Sequence, residues 1–252
     1  MSCEKFPSLA AIILAAGKGV RMNSDLPKVM HTVGGQPMLV HVINQAKGAG
    51  IERIIVIVGY KREMVIPIVE QNGAEYVIQE EQLGTGHAVS VAEPLFRDYH
   101  GDIIVLSGDV PLLSIETLHR IVDFHRGRDV VATMLTAYAL DPTDYGRVLR
   151  GNDGEVKGVK EHDDCDEEEL RIKEINSGIY VFRSQQLFDT LRLINNKNAQ
   201  REYYLPDVFL HYLAQKEKVA AYVGDFDEIH GVNNLQDLEK VREIYERRSV
   251  TA

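Results

Sequence analysis

The chain has 252 residues, of which 44% are hydrophobic and 26% are charged, and it carries a formal net charge of −10. This length suits one large α/β domain or two small ones and is sufficient to bury a proper core. The negative charge argues against nonspecific nucleic-acid binding, which normally needs a basic surface, but it is compatible with a local cationic pocket for a small anionic substrate.

The N-terminus and the cysteines indicate the compartment. The opening sequence MSCEKFPS lacks the apolar segment of a signal peptide, and no apolar run approaches the ~18 residues that a membrane-spanning helix needs. Cys3 and Cys165 are too few for a disulfide framework and are predicted to be free thiols. We therefore expect a cytoplasmic protein with neither a membrane nor a nucleic acid as partner.

Apolar runs alternate with helical patterns through the first half of the chain. Such alternation predicts βαβ units with right-handed crossovers and a mostly parallel sheet. The predicted strands are Leu9–Leu14, Ile54–Val58, Tyr76–Ile78, Ile103–Leu106 and Val130–Thr136, and the predicted helices are Pro37–Gly48, Arg62–Gln71, His87–Leu95 and a segment from the cap Ser114 to His125.

The second half has a different pattern, which we interpret as an insertion or subdomain covering the active edge of the sheet. It opens with a predicted hairpin and an acidic loop over residues 163–169. The predicted hairpin strands are Arg147–Arg150 and Val156–Lys160; they are followed by strands Ile175–Phe182 and Val219–Val223 and by helices Ser184–Ile194, Tyr204–Gln215 and Leu235–Arg247, the last capped by Asn234.

A glycine-rich segment, LAAGKGVRMNSDLPK, follows the first predicted strand. Gly17 and Gly19 can bring backbone N–H groups close to an anion, and Arg21 and Lys28 can add side-chain charge. The segment matches neither G-x-G-x-x-G nor G-x-x-x-x-G-K-[ST]. From the pattern alone, a phosphate-binding loop and an ordinary strand-to-helix turn remain alternatives.

Three polar, glycine-bearing segments follow carboxyl ends of predicted strands. They cover residues 17–21, 79–86 and 108–109. Because ligands of open α/β sheets bind outside the carboxyl ends of the strands, we expect the three segments to form one site. Asp109 in this position is typical of a turn or a cap when it stands alone, and it is also a suitable Mg²⁺ ligand.

The motifs taken together resemble one family. LAAGKGVRMNSDLPKVMHTVGGQPML, VIQEEQLGTGHAV, LSGDVPLL, DPTDYGRVLR, GVKEHDD, EINSGIYVF, NAQREYYLPDVF and HGVNN stand in the order and at the approximate spacing found in the uridylyltransferase half of the bacterial bifunctional N-acetylglucosamine-1-phosphate uridyltransferases. The resemblance covers Ala10 to about Glu246; Val20 replaces the threonine of the family motif LAAGxGTRM.

The resemblance implies an α/β, GT-A-like and Rossmann-related nucleotidyltransferase fold, with a mostly parallel sheet, helices on both faces and a β-rich sugar-binding insertion. It implies one domain over residues 1–252, with a nucleotide-binding part at about 8–138, a sugar-binding part at about 139–233 and a C-terminal helix at 234–248. The family's left-handed β-helix acetyltransferase half has no counterpart in this sequence, and the oligomeric state is not predicted.

The implied reaction converts UTP and N-acetylglucosamine 1-phosphate into UDP-N-acetylglucosamine and pyrophosphate, with Mg²⁺ as cofactor. By resemblance, Arg21, Lys28 and Asp109 are catalytic, and Asp109 and Asn233 hold the metal. The implied substrate-binding residues are Leu14, Ala15, Ala16 and Gly17 for the nucleoside, Gln79, Gly84 and Thr85 for the uracil, Gly146, Glu161 and Asn176 for the sugar, and also Gly108 and Asn233.

Three other functions remain open at this stage. Ser107 stands where the family often has a tyrosine, which leaves room for another sugar 1-phosphate or another pyrimidine nucleotide. A non-catalytic nucleotide-binding subunit is a second alternative, although it would not need Arg21, Lys28, Asp109 and Asn233 together. A glycosyltransferase of the same fold would usually show Asp-x-Asp, whereas this chain has Gly-Asp-Val at 108–110.

Overall fold

The computed structural model describes residues 8–251, except for the side chains of residues 250 and 251, so Cys3 lies outside the described residues. A nine-stranded sheet forms the centre of the structure, and a two-stranded sheet accompanies it. The strands in chain order are β1 Leu9–Ala15, β2 Thr32–Val33, β3 Gln36–Pro37, β4 Arg53–Val58, β5 Glu75–Ile78, β6 Asp102–Ser107, β7 Ala132–Tyr138, β8 Arg147–Arg150, β9 Val156–Lys160, β10 Glu174–Arg183 and β11 Val219–Val223.

The sheet combines a parallel part with an antiparallel strand. Its order is β11-β7-β10-β6-β1-β4-β5, with the β8–β9 hairpin attached through β10. Strand β1 pairs in parallel with β4 and β6, and β4 pairs in parallel with β5. Strand β10 runs antiparallel to both of its neighbours, β6 and β7. The carboxyl ends of β1, β4, β5 and β6 therefore meet at one edge, as predicted.

Helices cover both faces of the sheet. The side chains of β1 alternate between two cores. Ala11 and Ile13 face the helices Met38–Gly48, Arg62–Gln71 and Ile115–Gly127, whereas Ala10 and Ile12 face the helices Thr85–Ser90, Ser184–Leu191 and Asp207–Ala214. This burial on both faces explains why β1 is a continuous apolar run. The helices are α1 Met38–Gly48, α2 Arg62–Gln71, α3 Thr85–Ser90, α4 Ile115–Gly127, α5 Ser184–Leu191, α6 Asp207–Ala214, α7 Phe226–Ile229 and α8 Leu235–Thr251.

The C-terminal helix α8 packs over the loop that follows β1. Leu238, Val241 and Ile244 of α8 form a small core with Met22 and Val33. Asn234 accepts hydrogen bonds at its side-chain oxygen from the N–H groups of Gln236 and Asp237 at 2.8 and 3.0 Å, which confirms the predicted cap. Helix α8 is thus packed beside the glycine-rich loop that follows β1.

Several boundaries differ from the predictions. The predicted helix His87–Leu95 is shorter: α3 ends at Ser90, and Glu93–Phe96 forms a 3₁₀ turn that contains Pro94. The second half, interpreted as an insertion or subdomain over the active edge, contributes β10 and β11 to the same central sheet. The acidic loop of residues 163–169 is attached to β9, since Glu169 Oε2 accepts a hydrogen bond of 2.6 Å from Lys160 Nζ.

Across residues 8–251, no helix is both long and apolar enough to cross a membrane. Cys165 is a free thiol of intermediate exposure, as predicted.

Candidate active site

The glycine-rich loop places Lys28 at the carboxyl end of β1. Gly19 has φ = +60°, a conformation that favours glycine. A Cβ atom at this position would stand 2.7 Å from Lys28 Cβ, closer than real contacts allow. Gly19 therefore serves both the turn and the close approach of the lysine.

Lys28, Asp109 and Asn233 form one cluster. The Lys28 ammonium makes an ion pair with the Asp109 carboxylate, and their side chains are 20% and 17% exposed. Lys28 Nζ also lies 3.5 Å from Asn233 Oδ1, the limit of a hydrogen bond. The Val232 N–H donates to the Asp109 carbonyl at 3.0 Å, which fixes the two loops against each other.

The donor set of this cluster fits a magnesium ion. The Asp109 carboxylate and the Asn233 amide oxygen converge on the same cationic group, Lys28 Nζ. Hard oxygen ligands suit Mg²⁺, and this ion commonly takes few protein ligands and completes its shell with water and substrate phosphates. Among the described residues, no group of three or more His, Cys, Asp or Glu side chains offers an alternative metal site.

A cleft of about 230 Å³ opens beside this cluster. It brings the three predicted segments together, which confirms their predicted convergence. Val29, Gln82, Ala88, Ser107 and Glu202 also line it and were not predicted as site residues, although all five lie within the motifs quoted above. The predicted residues that line it are Leu14, Ala15, Ala16, Gly17, Lys28, Gln79, Gly84, Thr85 and Asp109.

Gly108 lies directly after β6, next to the Leu14 backbone at the cleft. Its N–H donates to the Leu14 carbonyl at 2.9 Å, which continues the β1–β6 pairing beyond Ser107. A Cβ atom at Gly108 would stand 2.9 Å from the same carbonyl oxygen. The glycine thus lets Asp109 follow directly after the strand.

Gly84 and Gln79 shape the end of the cleft at β5. Gly84 has φ = +109°, and a Cβ atom there would lie 2.6 Å from the Tyr203 carbonyl oxygen. The Gln79 side-chain amide donates to the Gly84 carbonyl at 3.2 Å and to His87 Nδ1 at 3.0 Å. Since Gln79 is almost completely buried, these bonds fix the orientation of its amide.

Thr85 has a structural contact in addition to its place in the cleft. Its side-chain oxygen accepts a hydrogen bond from the Leu205 N–H at 3.0 Å. The Gly86 N–H donates to the Tyr203 carbonyl at 2.7 Å. The segment that begins α3 is therefore held against residues 203–205, which bring Glu202 to the cleft.

The three predicted sugar-binding residues also meet. The Asn176 N–H donates to the Gly146 carbonyl at 2.9 Å, and a Cβ atom at Gly146 would stand 3.1 Å from Glu161 Oε2. Burial, together with the nearby carboxylates of Asp207 and Asp164, raises the pKa of Glu161 to about 7. A carboxyl group that is costly to ionise therefore lies beside Gly146.

Replacing Glu161 by glutamine is expected to stabilise the protein at about pH 8 and to leave its stability nearly unchanged below pH 4.5. Between the ordinary pKa of 4.5 and about 7, the folded protein holds a proton that the unfolded chain has released, so the free energy of unfolding falls as pH rises. The gain in the free energy of unfolding of Glu161→Gln over the wild type at pH 8 is ~3 kcal/mol at most. Urea denaturation across this pH range measures it.

The control is Glu155→Gln, because the ion pair with Lys157 lowers the pKa of Glu155. This variant should gain no stability at pH 8. Identical pH profiles of stability for wild type and Glu161→Gln would contradict the assignment of a costly buried charge to Glu161.

Arg21 lies outside the set of residues that line the 230 Å³ cleft. Its guanidinium pairs with the Asp144 carboxylate at 2.6 Å, and both side chains are substantially exposed. An exposed ion pair of this kind contributes little to stability. The role of Arg21 in binding phosphates therefore stays a prediction, which requires the Asp144 contact to give way to the substrate.

Comparison with known proteins decides the family. The nucleotidyl transferase family model matches residues 10–246. The chain belongs to the nucleotidyl transferase family. This nucleotidyl transferase is similar to the bifunctional protein GlmU of Streptococcus uberis and to that of Streptococcus pyogenes serotype M6, with 47% identity over 239 residues in each case.

These matches cover 94% of this nucleotidyl transferase and 52% of each relative. GlmU of Streptococcus pyogenes serotype M1 is 49% identical over 225 residues, or 89% of this chain and 49% of its own. The chain thus spans about half the length of these relatives.

Solved structures of other nucleotidyl transferases share the fold. A UDP-glucose pyrophosphorylase complexed with UDP-glucose has a TM-score of 0.76 at 17% identity, covering 96% of this chain and 99% of that chain. A structure from Bacillus anthracis, assigned as a glucose-1-phosphate thymidylyltransferase, has a TM-score of 0.76 at 20% identity, covering 94% and 95%. At these identities the similarity concerns the fold alone, and the predicted α/β nucleotidyltransferase fold is confirmed.

Proposed function

We propose that this nucleotidyl transferase transfers UMP from UTP to N-acetylglucosamine 1-phosphate, giving UDP-N-acetylglucosamine and pyrophosphate. The observation that carries the proposal is the cluster of Lys28, Asp109 and Asn233 beside a cleft lined by residues 14–17. Identity of 47% to the GlmU proteins over 94% of the chain supports this choice of reaction. We further propose that the enzyme acts in the cytoplasm.

The proposed reaction is a displacement at the α-phosphorus of the nucleotide. An oxygen of the sugar phosphate forms the new bond, and the bond from the α-phosphorus to the oxygen bridging it to the β-phosphorus breaks, so pyrophosphate leaves with that electron pair. A phosphate monoester has a second pKa near ~6 and is already largely ionised at neutral pH. The protein therefore needs no general base, and its task is to align two anions that repel each other.

Each part of the site has a defined task in this proposal. The cleft beside β1 and α3 receives the nucleoside. Because both N–H groups of the Gln79 amide bond Gly84 and His87, Gln79 offers its amide oxygen to the base. Lys28 supplies positive charge at the reacting phosphate, and Arg21 supplies a planar fork for the outer phosphates. Asp109 and Asn233 would hold Mg²⁺, which when bound neutralises phosphate charge as the leaving group departs.

The sugar half of the substrate is proposed to occupy the region of Gly146, Glu161 and Asn176. Gly146 leaves room beside the Glu161 carboxyl group, and carboxylate and amide groups can bind sugar hydroxyls. Because the sugar site lies on β8, β9 and β10 while the nucleotide site lies on β1, β5 and β6, the reacting atoms would meet between the two parts of the sheet.

The test is a pyrophosphate-release assay with UTP, CTP and dTTP, each combined with several sugar 1-phosphates in the presence of Mg²⁺. We expect UTP with N-acetylglucosamine 1-phosphate to give the highest kcat/KM, and chelation of the metal to abolish the release. Preference for another pair would change the proposed substrates. No release with any pair would contradict the proposed reaction and favour a non-catalytic nucleotide-binding role.

A further inference from the structure

A β-bulge brings two side chains of β10 together. Asn176 pairs with Thr136 of β7, whereas Tyr180 pairs with Met134, so four steps along β10 match two steps along β7. Residues four apart in a regular strand are separated by ~13 Å. Here Asn176 Nδ2 donates a hydrogen bond of 2.7 Å to the Tyr180 hydroxyl, a contact that the bulge alone permits.

The bulge is fixed from within. Gly178 has φ = +76°, which favours glycine. The Ser177 hydroxyl donates to the Leu135 carbonyl at 2.6 Å and accepts from the Ile179 N–H at 3.1 Å. The spacing between Asn176 and Tyr180 is therefore set by the backbone and does not depend on their contact.

Tyr180 is itself held rigidly. Its side chain is buried, and its ring packs on Phe182 and Phe209 with centroids 5.5 and 5.8 Å away. The buried hydroxyl is the polar end of an otherwise apolar side chain, and its contact with Asn176 satisfies it. Burial and the nearby carboxyl group of Glu161 raise the pKa of Tyr180, so it stays a neutral phenol.

The two ends of the Asn176 amide consequently face different partners. Nδ2 donates to Tyr180, and Oδ1 accepts from the Gly178 N–H at 3.4 Å. An amide has a second N–H and a second lone pair. The Gly178 N–H, which can only donate, requires Oδ1 to face it, and the Tyr180 hydroxyl holds Nδ2 in place. Together these contacts fix which donor and acceptor the amide offers to a sugar beside Glu161.

We propose that Tyr180 is a positioning residue for the sugar phosphate, acting through the orientation of the Asn176 amide. This inference rests on the proposed function, in which Asn176 contacts the sugar. Tyr180 itself need not touch the substrate, and the nucleotide cleft beside β1 is independent of it.

The test is Tyr180→Phe, with KM measured separately for both substrates in the pyrophosphate-release assay. The expected result is a KM for the sugar phosphate about tenfold higher, with the KM for UTP nearly unchanged. The Tm should fall by only about a few degrees, because the buried Asn176 amide loses one partner. The matched control is Tyr212→Phe, because Tyr212 is equally buried and packs on the same Phe209 ring. It should alter neither KM.

A double variant separates positioning from general support of the fold. In an Asn176→Ala background, Tyr180→Phe should cause no further rise in the KM for the sugar phosphate, because residues that act through one contact are not additive. Additive effects, an unchanged KM in the single variant, or equal rises for both substrates would overturn the inference. An inactive wild-type protein would instead contradict the proposed function as well.

Discussion

Replacing Asp109 by alanine is expected to lower kcat for pyrophosphate release by about 10²–10³-fold, the range found when one group that stabilises developing charge is removed. The carboxylate pairs with Lys28 and lies beside Asn233. Its loss removes one of two proposed oxygen ligands and leaves the lysine without its partner. A parallel titration of Mg²⁺ in the presence of UTP should require a higher metal concentration.

The Asp109→Ala variant should remain folded, because the backbone contact to Val232 does not involve the side chain. Glu116→Ala is the control: it removes a carboxylate from an exposed ion pair with Arg120 on α4 and should retain full activity. Near-normal turnover of a folded Asp109→Ala variant would exclude this carboxylate from the reaction.

Gly84→Ala is expected to weaken nucleotide binding by more than tenfold and to destabilise the fold by about 2–4 kcal/mol. Two costs add at this position. The φ of +109° is strained for any residue with a Cβ atom, and that atom would stand 2.6 Å from the Tyr203 carbonyl oxygen. The chain would have to move Tyr203 away, and Glu202 with it, from the edge of the cleft.

Nucleotide affinity by titration calorimetry and stability by urea denaturation measure the two effects. Gly127→Ala is the matched control, since no atom lies within 4 Å of a Cβ built at Gly127 and its φ is outside the positive range. That variant, at the end of α4, should be at least as stable as the wild type. Equal behaviour of the two variants would show that the Gly84 turn tolerates a side chain.

The sequence predicted the parallel part of the sheet because its strands are buried on both faces and read as continuous apolar runs. The direction of β10 had no such signal, since an apolar strand has the same pattern in either direction. Its antiparallel insertion between β6 and β7 follows from tertiary packing. The second half, interpreted from the sequence as an insertion or subdomain over the active edge, thus contributes strands to the central sheet.

The site at the nucleotide cleft was predicted from three polar segments that follow the carboxyl ends of strands. The contact between Asn176 and Tyr180 could not be predicted, because it depends on a bulge whose only sequence sign is Gly178. The pairing of Arg21 with Asp144 was also missed. Exposed charges find partners through loop geometry, which neither spacing nor composition specifies.

The cluster around Lys28 joins distant parts of the chain: Lys28 and Asn233 are 205 positions apart. Contacts of such high sequence separation must close long loops before they contribute stability, so they form late and slowly. During synthesis, the glycine-rich loop leaves the ribosome long before the residue that completes its site. The nascent chain can therefore complete neither the cleft, which Glu202 lines, nor the Lys28–Asn233 contact until residues 202–233 have been synthesised.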